Sequence, residues 1–279
     1  MLESFPAAPG RRAAGFLRPL CITGEKSKAR PFGGCMTAQW SLVLYTLLTQ
    51  WAAGLAVFTA WKTRRALRAG ERPSGPAWAP VTAAAALGLV MSLFGQWHPG
   101  ELLPGLEGLA FTVLLAVAFM AWHLRGGKIL SVLAASAGVV GVLLQGLRCA
   151  PLPAPSPVGV LFLWMFALGA WTLGASFAQL GRGSEQGFAR PLRLGLWLLL
   201  VTLVLVPCLG GTFVDTLMRL LSVAWMEFLP YWAAVMATGV AIGLSYMGRA
   251  TAPVQAALVL VAAFCVRATM FVGGADLFL

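Results

Sequence analysis

Residues 38–61 read AQWSLVLYTLLTQWAAGLAVFTAW, an uncharged run that ends directly before Lys62. A helix needs about 20 predominantly apolar residues to cross the hydrocarbon core of a bilayer. This run is long enough, and basic residues follow it at once. It therefore predicts a membrane-spanning helix.

The same pattern recurs along the rest of the chain. Further spans are predicted at 78–97, 106–124, 129–147, 157–180, 194–209, 230–247 and 253–272. Short loops with Gly, Pro or basic residues separate them. The sequence therefore predicts an all-α polytopic membrane protein, a bundle of about eight transmembrane helices.

The overall composition agrees with that fold class. The chain is 59% hydrophobic and 10% charged, with a mean hydropathy of +0.82, whereas soluble domains carry about 25% charged residues. A net charge of +11 in a soluble protein would raise the question of nucleic acid. Here the basic residues lie in short loops between apolar runs, so no nucleic-acid partner is predicted; the surrounding partner is membrane lipid.

The basic residues also predict the orientation, because cytoplasmic loops of membrane proteins are enriched in Lys and Arg. The loops after the second, fourth and sixth spans hold only Arg148 and Arg219. The loops after the odd-numbered spans hold Lys62, Arg64, Arg65, Arg68, Arg72, Arg125, Lys128, Arg182, Arg190, Arg193 and Arg249. We therefore expect these basic loops on the cytoplasmic side of a bacterial inner membrane, and both ends of the helical bundle outside the cytoplasm.

Residues 1–35 do not fit this orientation, since they place six further basic residues on the outer side. They contain no apolar stretch of signal-peptide length, and Met36 opens the first span. Our hypothesis is that Met36 is the true initiator and that 1–35 is an over-extended reading frame; the alternative is a disordered basic tail. The membrane domain is then 36–279. N-terminal sequencing decides between them, and a product that begins at Met1 rejects the first.

Charged groups inside a bilayer are costly and are therefore candidate functional residues. Glu107 falls in the first turn of the predicted third span, near the outer side, where a helix dipole favours an acid. Arg267 lies about two-thirds along the eighth span. It can extend toward the interface, pair with Glu107 or bind a polar ligand.

Two histidines lie at the ends of spans. His98 is at the outer end of the second span, on the same side as Glu107, and is a candidate for proton handling. His123 is at the inner end of the third span, so the pair cannot face one iron, and no haem is predicted. The five cysteines form no CxxC or CxxxC pair, so no metal centre is predicted either.

Three spans carry short motifs of one family. The first has Trp40, the pair Tyr45-Thr46, then Gln50 and Gly54; the fifth opens with PVGVLF at 157–162, and the eighth has VRATMF at 266–271. In their order these motifs resemble the membrane-anchor subunit of anaerobic dimethyl sulfoxide reductase, the DmsC family. The resemblance covers about residues 36–279.

The resemblance implies an anchor that binds and oxidises menaquinol. Electrons would pass to a ferredoxin-like iron–sulfur subunit and from there to a molybdopterin catalytic subunit. The anchor itself would hold no redox cofactor and would not carry the terminal catalysis.

The resemblance also assigns residues. It places Glu107 in the family's acidic position and gives Gly95 where the family has a His, with His98 three residues later. We expect Glu107 and His98 to handle protons, and Gln50, Glu107 and Arg267 to bind the quinol.

Two other classes stay open. A secondary transporter is one, since Pro207 can break the sixth span. A structural anchor without quinol activity is the other, because the family His is missing at position 95. The small residues of the fourth span, from Ala134 to Gly141, further predict a close approach by another helix.

Overall fold

The fold is all-α and polytopic, as the sequence predicts. A computed structural model describes residues 33–93, 102–125, 127–149, 157–180, 186–209 and 223–272. In this part of the chain eight helices lie at the positions of the eight predicted spans. They are α1 (Gly33–Arg68), α2 (Ala79–Leu93), α3 (Leu102–His123), α4 (Lys128–Cys149), α5 (Pro157–Ala178), α6 (Ala189–Leu209), α7 (Leu229–Leu244) and α8 (Ala252–Phe271).

Most of these helices have the length that a membrane requires. Helices α1, α3, α4, α5 and α8 are long and apolar enough to cross a bilayer, as is α2 together with the 3₁₀ turn Gly75–Trp78 before it. Helix α7 is apolar but shorter. Helix α6 has 21 residues, which at 1.5 Å each is about 31 Å. It runs through Pro207 to Leu209 as one helix, so the break that was allowed for at Pro207 is not observed.

Prolines mark several helix starts. Pro230 and Pro253 lie in the first turns of α7 and α8, and Pro76 in the 3₁₀ turn before α2. The first turn is where a missing backbone N–H costs nothing. These positions explain why the predicted and observed starts of α7 and α8 agree within one residue.

Helix α1 is the centre of the bundle and its longest element. It packs against α2, α4, α5 and α8, and 72% of its most apolar stretch is buried in the bundle. Its 36 residues span about 54 Å, well beyond the roughly 30 Å of hydrocarbon. The surplus includes the turns that carry Lys62, Arg65 and Arg68.

Small residues let the neighbouring helices approach α1. A Cβ on Gly54 would fall 1.9 Å from the carbonyl oxygen of Ala170, and one on Gly174 would fall 2.3 Å from Gly54, so α1 and α5 touch backbone to backbone. On the other side, a Cβ on Gly138 of α4 would meet Ala53 at 3.0 Å. The close approach predicted for the fourth span is therefore confirmed, and α1 is its partner.

Candidate functional site

Glu107 is fully buried in the second turn of α3 and accepts three hydrogen bonds. Its Oε1 accepts from the Tyr45 hydroxyl at 2.6 Å and from Gln145 Nε2 at 3.0 Å. Its Oε2 accepts from Arg148 Nη1 at 3.2 Å in a salt bridge. A buried carboxylate needs such donors and a countercharge, since transfer out of water otherwise costs several kcal/mol or more.

The start of α3 corrects one prediction. The helix begins at Leu102, four residues before the predicted span, and no acid lies in its first turn. Glu107 is therefore one turn deeper than expected. Its charge is balanced by a side chain of α4, Arg148, rather than by the helix dipole.

Gln145 of α4 connects Glu107 to α1. Besides Glu107, its Nε2 donates to Thr49 Oγ1 at 2.9 Å, while the Thr49 hydroxyl donates to the Tyr45 carbonyl at 2.7 Å. Its Oε1 accepts from Gln50 Nε2 at 2.9 Å. Each amide atom of this buried side chain is thus satisfied, as a buried polar group requires.

Arg267 of α8 completes the series and is 1% exposed. Its Nη2 donates to Gln50 Oε1 and, at 3.2 Å, to the Met165 carbonyl of α5. Its guanidinium lies over the Phe166 ring, with the carbon 4.0 Å from the centroid. Arg267 therefore neither extends to the interface nor pairs directly with Glu107, because α1 and α4 lie between them.

We call Arg267, Gln50, Gln145, Glu107 and Arg148 the buried polar network. In order, each of the first three donates to the next residue, and Arg148 donates to Glu107 from the other end. A guanidinium has only donors and a carboxylate only acceptors. Arg267 and Glu107 therefore fix the orientation of the Gln50 and Gln145 amides that lie between them. Aligned hydrogen bonds of this kind also polarise one another.

The network runs from the middle of the apolar part of α1 to the last turn of α4. Gln50 lies ten residues after Trp40 and eleven before Trp61, which is about 15 Å from each along α1. Both tryptophans are partly exposed, as is usual at membrane interfaces. At the other end, the Arg148 side chain is 20% exposed in the last turn of α4.

Gly169 of α5 makes room for Arg267 and Gln50, at the fully buried end of this network. A Cβ at this position would fall 2.7 Å from Arg267 Nη2 and 2.9 Å from Gln50 Oε1. Any larger residue would separate the guanidinium from the amide. The close contact between α5 and α1 therefore serves the site as well as the packing.

The structure brings together three of the four predicted site residues. Gln50, Glu107 and Arg267 belong to the buried polar network, although they come from three different helices. His98 lies outside the described residues, so its predicted role and the predicted absence of haem stay predictions. His123 is exposed near the far end of α3 and contacts the Phe119 carbonyl, as an interface residue would.

Sequence reasoning missed Gln145 as a site residue and took Arg148 only as a loop charge. The signal for Gln145 was present, because an amide within an apolar run needs a partner inside the bundle. Tyr45 was part of the family motif but had no assigned role. Nothing in the sequence gave the pairing of α3 with α4 that places Arg148 beside Glu107.

The groups of this network can accept a proton and can form hydrogen bonds with oxygen atoms. Glu107 is the acceptor, the amides can both donate and accept hydrogen bonds, and two guanidinium groups balance the acid. Among the described residues, Glu107 and Arg267 are the buried charged side chains. The bundle therefore concentrates its charge chemistry in this one network.

Comparison with known proteins does not assign a family. No protein-family model matches the chain, and no curated protein is significantly similar to it.

Proposed function

We propose that this chain is the membrane-anchor subunit of a molybdopterin oxidoreductase complex of the dimethyl sulfoxide reductase kind, and that it binds and oxidises menaquinol. The observation that carries the proposal is the buried polar network. Gln50, Glu107 and Arg267, the residues that we expect to bind the quinol, are joined in it by hydrogen bonds.

The chemistry of a quinol suits this network. Oxidation of the hydroquinone to the quinone releases two electrons and two protons, so the site needs a base and a way out for protons. Glu107 supplies a carboxylate within the membrane. Gln50 and Gln145 supply groups that can bond the hydroxyl and carbonyl oxygens of the ring.

The electrons require partners, which the resemblance supplies. A ferredoxin-like iron–sulfur subunit would accept them and a molybdopterin subunit would use them. We place the complex in the bacterial inner membrane, with both ends of the bundle and the Glu107 end of the network facing outward. The basic residues in the last turns of α1 and directly after it support this orientation.

The two alternatives make different demands on the fold. A transporter of the broken-helix kind would use an interrupted helix near the midplane, whereas α6 is continuous through Pro207. A structural anchor would need the network only for stability. Its members would then tolerate any substitution that keeps the fold.

The decisive variant is Glu107→Gln in the intact complex. The amide keeps the size of the side chain but is no base, so quinol-dependent turnover should fall about 10²-fold or more, with normal co-purification of the partner subunits. The matched control is Gln255→Leu, which removes a buried amide on α8 that bonds only the Ala241 carbonyl. It should keep near-wild-type turnover.

Turnover and its sidedness are measured together in spheroplasts, as acceptor reduction and as acidification of the outer medium. Full turnover by Glu107→Gln would remove Glu107 from the mechanism. Co-purification of the partner subunits without quinol-dependent turnover in the wild type would identify a structural anchor. Acidification inside the cell would reverse the proposed orientation.

A further inference from the structure

The two oxygens of Glu107 face different surroundings. Oε1 is bonded by Tyr45 and Gln145, which are 3% and 1% exposed. Oε2 is bonded by Arg148, whose side chain is 20% exposed at the end of α4. One side of the carboxyl group therefore faces the buried core, and the other faces Arg148, the most exposed residue of the network.

We propose that Arg148 is a positioning residue that controls proton exit from Glu107 to the outer surface. The contact is an ion pair, so it depends on the charge of the acid. When Glu107 takes up a proton, the attraction to the guanidinium is lost, while Arg148 stays charged and better solvated in water. Arg148 then moves outward and leaves the protonated oxygen facing the outer surface.

The proton balance is simple. For the source of the protons, the proposal rests on the quinol function: the two quinol O–H bonds break one after the other, a Glu107 O–H bond forms each time, and the two electrons go to the iron–sulfur partner. The Glu107 O–H then releases its proton to water. The carboxylate that re-forms draws Arg148 back and closes the path.

The neighbours of Glu107 leave Arg148 as the group for this role. Helix α1 presents Tyr45, α4 presents Gln145 and Arg148, and 79–93 of α2 contains no titratable residue. Arg267 is separated from Glu107 by two amides. Among these described groups, Arg148 is the charged one in direct contact with the acid.

The test needs no quinol. Infrared difference spectra of the purified protein, recorded across a pH series, show the carbonyl band of the protonated acid, and Glu107→Gln identifies the band by its loss. The guanidinium bonds Oε2 of the acid directly, so the pH dependence of this band should change in Arg148→Gln. Arg148→Lys keeps the charge and should restore the wild-type pH dependence.

Arg193→Gln is the matched control. Arg193 is partly buried and bonds the Ser245 carbonyl at the end of α7, so its loss should leave the Glu107 band unchanged. An unchanged midpoint in Arg148→Gln, or a failure of Arg148→Lys to restore it, would overturn the proposal. The result is independent of turnover. If Arg148→Gln changes the band but the protein oxidises no quinol, the role of Arg148 is supported and the quinol function is contradicted.

Discussion

Gln145 holds the site together, since it contacts Thr49, Gln50 and Glu107 at once. A buried amide of this kind is favourable only while all its bonds are made. Its position on α4, one turn before Arg148, also places the uncharged and the charged donor of Glu107 on one face of the same helix. The geometry of the acid is therefore set mostly from α4.

Replacing Gln145 should show this dependence. Gln145→Leu leaves the Gln50 amide and Glu107 Oε1 each short of a partner, so the free energy of unfolding should fall by about 1–3 kcal/mol. Gln255→Leu loses one bond to a helix carbonyl and should cost less. Unfolding in mixed micelles measures both free energies. Equal losses of stability in the two variants would show that Gln145 contributes no more than an ordinary buried amide.

At the scale of elements, the site exists because α1 is packed closely on three sides. Thr49, Gln50 and Gly54 lie within two turns of α1, and they meet α4, α8 and α5. Without the close approach at Gly54, α5 could not bring the Met165 carbonyl and the Phe166 ring to Arg267. The close contact of α1 and α5 at Gly54 is therefore needed for the buried polar network to form.

Gly54→Ala tests this contact. A Cβ would fall 1.9 Å from the Ala170 carbonyl oxygen, so α1 and α5 must move apart, and overpacking of this kind costs about 1–3 kcal/mol of stability. Gly239→Ala on α7 is the control, because a Cβ there meets nothing within 4 Å. It should be neutral or stabilising by about 1 kcal/mol. Equal thermal midpoints for the two variants would contradict the close contact.

The sequence predicts the elements well and the site only in part. Apolar runs of about 20 residues locate the eight long helices of the described part of the chain, because a bilayer demands that length. The start of α3 was placed four residues late, since Pro104 and Gly105 in its first turn are residue types typical of loops. Arg148 looks like a loop charge until α3 and α4 are packed together, and such pairing is a property of the tertiary structure.

At the scale of the whole molecule, the charge distribution has two parts. Basic residues gather in the last turns of α1 and directly after it, while Arg267, Glu107 and Arg148 belong to the buried polar network, which reaches the last turn of α4. By our proposal, the first part orients the protein in the membrane. The second gives a lipid-soluble reductant, by our proposal, a place to leave its protons.

Binding of a short-chain menaquinone to the purified protein, followed by quenching of tryptophan fluorescence, tests this central claim most directly. We predict saturable binding that is about tenfold weaker in Gln50→Leu, since one lost hydrogen bond of about 1.4 kcal/mol gives that factor. Gln255→Leu should bind like the wild type. Quenching without saturation in the wild type, or equal affinity in Gln50→Leu, would contradict the account.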